Sequence, residues 1–288
     1  MRHRIIKLII RAGLLSVALL VIVVLRHNQG YRVIFCDVGQ GDAILITAPN
    51  NIQILIDGGP DQRILEKLGK YMPFNDRTIE TVVVTHPHAD HLAGLLEVAQ
   101  RYKIDRVIET DMPANDSLAE TWDGILSRRG ISTIRGKTGQ KWRYDDNLTI
   151  SIIYATERTA ASVRDLNELS IVSEVNILGR KYLMTGDMTQ AMEETIMMNE
   201  PTLRVDVLKV AHHGSHFASQ ELWLKTINST LAVISVGQPN RYGHPAPEIL
   251  SRLQQQGIIY WRTDQTGDIQ MIYKNGQWVT QTEKSVML

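Results

Sequence analysis

The sequence predicts an α/β domain in which two sheets pack face to face with helices outside, preceded by one amino-terminal transmembrane anchor. Three observations carry this expectation. From Tyr31 onward, short apolar and β-branched runs alternate with segments of helical periodicity in both halves of the chain. No Pro/Gly/Ser-rich linker divides residues 30–280, so both halves belong to one layered domain. Ahead of it, Arg2, Arg4, Lys7 and Arg11, with no acidic residue among them, lead into the apolar run Ala12–Leu25. The chain thus divides into a cytoplasmic basic flank and anchor (1–29), the domain (30–280) and a carboxy-terminal tail (281–288).

The anchor comes first in order. Its apolar run has 14 residues, broken only by Ser16, against about 20 needed to span a bilayer. Counting from Ile5 gives 21 residues, with Lys7 and Arg11 able to snorkel to the interface. A cleaved signal peptide fits the same pattern, and a buried helix is a third reading. No small-x-small cleavage site follows, since the next residues are Leu25-Arg26-His27-Asn28. The uncleaved signal anchor is therefore the expectation. The basic flank keeps the amino end in the cytoplasm and puts the rest of a single-pass membrane protein outside.

Within the domain, Val33–Cys36 and Ala43–Thr47 read as strands around Gly39-Gln40-Gly41, and Ile52–Ile56 as a third, close enough for antiparallel pairing. A helix over 61–71, a β-branched strand Thr81–Thr85, a helix over 91–102 and a strand Arg106–Ile108 follow. A helix over 118–128 and three strands up to Tyr154 close the first half, and residues 155–168 read as loop. The second half has strands at Ser170–Leu178, Lys181–Met184, Val205–Val210 and Leu231–Val236, and helices over 189–199, 220–225 and 247–256. A terminal hairpin is expected over 258–273.

Composition narrows the chemistry. With 43% hydrophobic and 22% charged residues the chain is globular, which excludes disorder, collagen and coiled coil. Lys+Arg and Asp+Glu balance at 31 each, so any contact with nucleic acid must be local. A single cysteine, Cys36, excludes an intrachain disulfide and a Cys-based zinc cluster. Histidine remains, and three histidines and one carboxylate crowd into His86-Pro87-His88-Ala89-Asp90-His91 directly after a β-branched strand. Imidazole with carboxylate suits zinc or manganese. The spacing lets His86 and His88 face one metal while Asp90 and His91 face a second.

This stretch resembles the HxHxDH signature of the metallo-β-lactamase fold superfamily. The segments Asp37-Val38-Gly39-Gln40-Gly41-Asp42, Asp57-Gly58-Gly59, Thr185-Gly186-Asp187, 207–215 (VLKVAHHGS) and Tyr242-Gly243-His244-Pro245 follow in an order similar to the extracellular hydrolase domain of ComEC-type DNA-uptake proteins. The resemblance covers roughly residues 31–273. It implies a four-layer αββα sandwich with two divalent ions, zinc or manganese, at one edge. It further implies Asp187 as the carboxylate shared by both ions and His212 as a ligand of the second. His213 would support it or touch substrate, and Asp57 would buttress the histidine loop. The superfamily's usual third histidine for the first ion is missing, because no histidine lies between His91 and His212. Asn167, in Leu166-Asn167-Glu168-Leu169-Ser170, or else His244, is then expected to complete that site. Fewer nitrogen donors there would shift preference toward manganese.

The expected activity is a membrane-anchored, metal-dependent hydrolase, a phosphodiesterase or nuclease acting on extracellular nucleic acid such as single-stranded DNA. In it Asp90 binds the second ion and orients the nucleophile, and His244 serves the leaving oxygen. Ser215 and Ser219 are candidates for contact with an anionic substrate. Two alternatives stay open: hydrolysis of a small ester, lactam or cell-wall phosphodiester, and a non-catalytic binding module stabilised by metal. A basic stretch with Arg128, Arg129, Arg135, Lys137, Lys141 and Arg143 around Trp142 reads either as a backbone track with one stacking ring or as a solvated face of two strands.

Overall fold

The computed structural model describes residues 30–284, and residues 4, 6, 7, 10, 11 and 13–17 ahead of them. Most of the expected anchor, residues 1–29, and part of the tail therefore lie outside the described residues. Among the described residues no helix is long and apolar enough to cross a membrane.

In chain order the elements are β1 (Arg32–Phe35), β2 (Ile44–Ala48), β3 (Ile52–Ile56), α1 (Arg63–Tyr71), β4 (Thr78–Ile79), β5 (Thr81–Val84), α2 (Ala89–Arg101), β6 (Lys103–Ile104), β7 (Arg106–Glu109), α3 (Ser117–Arg129) and β8 (Ser132–Arg135). The second half contributes β9 (Lys141–Arg143), β10 (Leu148–Tyr154), β11 (Val172–Ile177), β12 (Arg180–Met184), α4 (Gln190–Asn199), β13 (Val207–Lys209), α5 (Glu221–Ile227), β14 (Leu231–Ile234), α6 (Pro247–Gln255), β15 (Ile259–Arg262), α7 (Thr263–Thr266), β16 (Ile269–Lys274) and β17 (Gln277–Thr282). They form an eight-stranded sheet ordered β17-β16-β1-β2-β3-β5-β7-β8, a seven-stranded sheet ordered β15-β14-β13-β12-β11-β10-β9, and the small pair β4-β6.

Strand alternation builds three apolar cores between four layers. On β1, Val33 and Phe35 face the second sheet while Ile34, with Cys36 just beyond the strand, faces the helices. β2 and β3 repeat this, with Ile44, Ile46, Ile54 and Ile56 inward and Leu45 and Leu55 outward, as a period of two requires. Helices α1, α2 and α3 cover the outer face of the first sheet through Ile64, Leu68, Leu92, Leu95, Trp122 and Ile125. Helices α4, α5 and α6 cover the second through Met192, Ile196, Trp223, Leu224, Ile249 and Leu253. The expected mixed sandwich is thus present as helix, sheet, sheet, helix.

One expectation fails. The terminal hairpin over 258–273 does not form: β15 runs parallel to β14 in the second sheet, while β16 lies antiparallel to β1 in the first. The hairpin that does form joins β16 to β17. Local alternation cannot tell which sheet a strand enters. Here the short helix α7 and Gly267 at φ 67° carry the chain from one sheet to the other.

Two acids outside the metal region, partly buried Glu109 and buried Glu193, make stability depend on pH. Burial pushes the Glu109 carboxyl up to about 7, with the Trp122 indole N–H at 2.8 Å opposing and Asp123 adding to the rise. Burial likewise raises Glu193 to about 7. For an acid raised on folding, the native state holds the extra proton between the unfolded value of about 4.3 and 7, so stability falls as pH rises through that window. Glu109→Gln keeps an acceptor for Trp122 and removes the titration. Its thermal unfolding should match the wild type near pH 4 and exceed it by roughly 3–4 kcal/mol at pH 8. Equal stability of the two proteins at pH 8 would show that Glu109 ionises without cost.

Candidate metal centre

The residues singled out by sequence meet where strands end. Parallel pairing of β3 with β5, and of β12, β13 and β14, aligns the carboxy ends within each sheet. Asp57 follows β3, His86–Asp90 follow β5, Asp187 follows β12, and His212 and His213 follow β13. Helix α2 then starts at Ala89, so Asp90 and His91 occupy its first turn, where a carboxylate also suits the helix dipole. The loop 37–42 closes over this turn, its Asp42 amide donating to the Asp90 carbonyl at 3.2 Å. A Cβ on Gly41 would sit 2.1 Å from that carbonyl, so only glycine permits the approach.

Hydrogen bonds settle how three rings point. Thr85 spends its hydroxyl proton on Asp57 Oδ2 at 2.7 Å, so at His86, 3.1 Å away, it can only accept. His86 Nδ1–H is thus the donor and its Nε2 carries the lone pair. His91 Nδ1–H donates to Asp57 Oδ2 at 2.8 Å, and His213 Nδ1–H donates to the Ser235 carbonyl at 2.9 Å. All three Nε2 atoms turn toward one carboxylate. Asp187 lies 3.9 Å from His86 Nε2, 3.4 Å from His91 Nε2 and 3.5 Å from His213 Nε2. His88 joins through Nδ1, 3.1 Å from His86 Nε2, and Asp90 Oδ2 is 3.2 Å from His213 Nε2.

A lone pair facing a carboxylate oxygen repels it unless a positive charge lies between. Buried His91 Nε2, His213 Nε2 and Asp187 Oδ1 have no hydrogen-bond partner, which native interiors rarely tolerate. The electrostatics agree. Burial works against a charged His91, but the Asp187 and Asp57 carboxylates raise it well above its ordinary value. Asp187, with Asp42 and Asp90, likewise overcomes burial at His213 and raises it to about 9. Asp187 itself is held well below the carboxylate range by those rings, against burial. Asp90, His91, Asp187 and His213 offer ligand atoms all within 4.8 Å of one another. This is a donor set that fits a divalent ion.

Sequence adjacency did not reveal which of the two neighbouring histidines points inward. His212 and His213 adopt φ 49° and 52°, both in the left-handed region, and Gly214 follows at φ 83°. That turn buries His213 and leaves the His212 side chain 34% exposed, its Nε2 3.8 Å from Asp187. His213, not His212, is therefore the ring that meets Asp90. His244 sits on the open side, its ring centroid 5.8 Å from His212. Its backbone is clamped by Asn240, whose Oδ1 accepts from His244 N at 2.9 Å and whose Nδ2 donates to His244 O at 2.7 Å. Burial and the neighbouring His212 and His213 charges push its pKa down to about 4. Asn167 lines the same central cavity, about 310 Å³, with its Oδ1 buried and without a partner. Ser215 and Ser219 are buried beneath the turn and do not line that cavity.

The metallo-beta-lactamase superfamily profile matches residues 36–145, the stretch holding Asp57 and the whole histidine loop. Over that stretch the chain is similar to the metallo-β-lactamase superfamily. It is 29% identical to ComE operon protein 3 of Bacillus subtilis over 256 residues, 83% of this chain and 32% of that protein. Competence protein ComA of Neisseria gonorrhoeae is 27% identical over 241 residues, 81% of this chain and 31% of that one. The chain thus spans about a third of the length of these curated relatives. In fold it is similar to Igni18, a metallo hydrolase from the archaeon Ignicoccus hospitalis, with TM-score 0.53 at 17% identity over 84% of this chain and 100% of that one.

Two members of this site are not conspicuous in the sequence. Lys209, on β13, is buried and pairs with buried Asp42. Its ammonium also donates to the Gly186 carbonyl at 3.1 Å and lies 3.9 Å from Asp187 Oδ1. Burial resists ionisation of Asp42, yet Lys209 and His213 hold it at about 2. Its carboxylate lies 3.5 Å from His213 Nδ1 and 3.8 Å from His91 Nδ1. A lone lysine inside the apolar run Val207-Leu208-Lys209-Val210-Ala211 was the available signal, since such a side chain must be paired when buried.

Proposed function

We propose that this protein is a metal-dependent phosphodiesterase that cleaves nucleic acid, anchored by residues 1–29 with its metallo-β-lactamase domain outside the cytoplasmic membrane. What carries the reading is the convergence of three buried imidazole lone pairs on Asp187 at the edge of a solvent-open cavity. The competence names of the relatives favour nucleic acid over a small ester or lactam.

Two ions fit the donors present. His86, His88 and Asp187, with the unpartnered Asn167 Oδ1, would hold the first. Asp90, His91, Asp187 and His213 would hold the second, His213 taking the role expected of His212. Each set offers two imidazole nitrogens completed by oxygen donors, a mixture that either zinc or manganese can occupy. When bound, such a pair would supply Lewis acidity toward a phosphodiester and an attacking water. The chain's own groups do the rest. Asp57, Thr85 and Ser235 fix the rings through their Nδ1–H bonds, and such outer partners govern ligand geometry. Asp42 and Lys209 hold that frame from behind. On the open side, the neutral His244 ring and half-exposed His212 offer N–H donors to the phosphate and its leaving oxygen, and Asp90 orients the nucleophile.

Full-length protein, purified in detergent, should hydrolyse bis-p-nitrophenyl phosphate and single-stranded DNA. Chelator should abolish both activities, and manganese or zinc should restore them. Stoichiometric metal without cleavage of either substrate would sink the reading and favour a metal-stabilised binding module. Topology is tested separately: protease added to intact spheroplasts should digest the domain, and full protection would overturn the external placement.

A further inference from the structure

The central cavity is the middle of a longer groove. It shares Asn167 and His212 with a cavity of about 730 Å³ that reaches Arg158 and Phe217. It shares Gln40, Ala89, Asp90 and Tyr242 with another of about 540 Å³ that reaches Arg241. The two outer cavities have no lining residue in common, so the metal centre lies between them. The arm that holds Phe217 also adjoins, through Thr156, a space of about 800 Å³ lined by Arg135 and Lys137 from the basic stretch. A small ester would occupy the middle alone. A groove open on both sides suits a chain that passes through.

Aromatic exposure marks both arms. Among the described residues the exposed aromatic rings are Phe74, Phe217 and Tyr242, and two of these three line this groove. Phe217 is 68% exposed and Tyr242 54%. Neither ring hangs loose. His216 packs on Phe217 with centroids 3.6 Å apart, and His244 lies under Tyr242 at 5.9 Å and 17°. Arg241 donates to the Tyr242 hydroxyl at 2.9 Å and sets its guanidinium 5.1 Å from the ring centre. Each ring is thus held in place with area left for a flat partner, and preorganisation of this kind lowers the ordering cost of binding. Unpaired bases stack on such rings whatever their identity, and adjacent cations take the phosphates.

We propose that Phe217 and Tyr242 are stacking platforms on the two sides of the metal centre, seating the bases that flank the scissile phosphate of a single-stranded polynucleotide. The proposal rests on the phosphodiesterase reading above, and it adds strand state and position. Arg241 on one arm and Lys137 on the other follow the backbone. Duplex DNA keeps its bases stacked on each other and cannot use the two rings.

The test uses full-length protein in chelator, so that binding is read without cleavage, and a single-stranded oligonucleotide carrying 2-aminopurine. Binding should quench the 2-aminopurine emission. Phe217→Ala and Tyr242→Ala should each weaken affinity about tenfold, the worth of one base–aromatic stack, and reduce the quenching. Phe217→Trp and Tyr242→Trp should bind as the wild type does. The salt dependence of affinity should keep its slope in all four variants, because no charge is removed. With metal restored, the alanine variants should lose about tenfold more kcat/KM on the oligonucleotide than on base-free bis-p-nitrophenyl phosphate. Alanine variants that bind like wild type, equal losses on both substrates, or a wild type that does not bind the oligonucleotide would each overturn the proposal. A metal-loaded wild type that binds the oligonucleotide but cleaves neither substrate would instead remove the phosphodiesterase reading and leave the platforms standing.

Discussion

Asp187→Asn should reduce hydrolysis of bis-p-nitrophenyl phosphate by about a thousandfold, or about 4 kcal/mol of transition-state stabilisation. No other carboxylate in the site is approached by so many imidazoles: Asp187 meets His86, His91, His212 and His213 within 3.4–3.9 Å. The amide keeps the size of the side chain and removes its charge, and it offers an N–H where a ligand oxygen stood. Metal analysis by mass spectrometry should show at least one ion lost per chain. Far-UV circular dichroism should be unchanged, because Asp187 is a member of none of the three apolar cores. Asp90→Asn removes a group that meets His213 alone among the rings, so it should spare one ion where Asp187→Asn does not. An Asp187→Asn protein that keeps two ions and activity within tenfold of wild type would show that the carboxylate is not shared between them.

The largest effect on stability should come from Lys209→Met. The side chain is 1% exposed, and its removal leaves Asp42, equally buried, with a negative charge facing only rings. Breaking a buried ion pair from one side costs roughly 3–5 kcal/mol, a fall of roughly 10 °C in Tm for a domain of this size. Adding Asp42→Asn should recover most of that loss, because a neutral pair no longer carries an uncompensated charge. Thermal melts of both single variants and the double in chelator form a cycle, and coupling of at least about 2 kcal/mol is expected. Additive losses would mean that Lys209 stabilises by packing of its methylenes and not through Asp42.

Local sequence carried much of the fold. β1, β2 and β3 follow two-residue alternation and pair antiparallel, as close spacing requires. The strand-then-helix passage at Thr81–His91 is likewise present, because a β-branched run, Pro87 and an acidic first turn each favour that break locally. Where elements had to choose distant partners, sequence was silent. Residues 259–262 and 269–274 read as the two arms of one hairpin, yet enter different sheets.

The site divides along the same line. Which chemistry to expect was determined by residue types: six residues bring three imidazoles and a carboxylate to one loop, and no local alternative satisfies them. Which atoms converge was decided by the tertiary structure. His212 and His213 are adjacent and identical in type, and only the left-handed turn after β13 buries one ring and leaves the other a third exposed at the cavity. Asp42 and Lys209 are 167 residues apart, and neither is conspicuous without the other. Phe217 and Tyr242 look like ordinary surface residues until the loops after β13 and β14 place them on either side of one cavity. A side chain's type is local information, but its partner and its exposure are set by chain segments that meet only when the sheets pack.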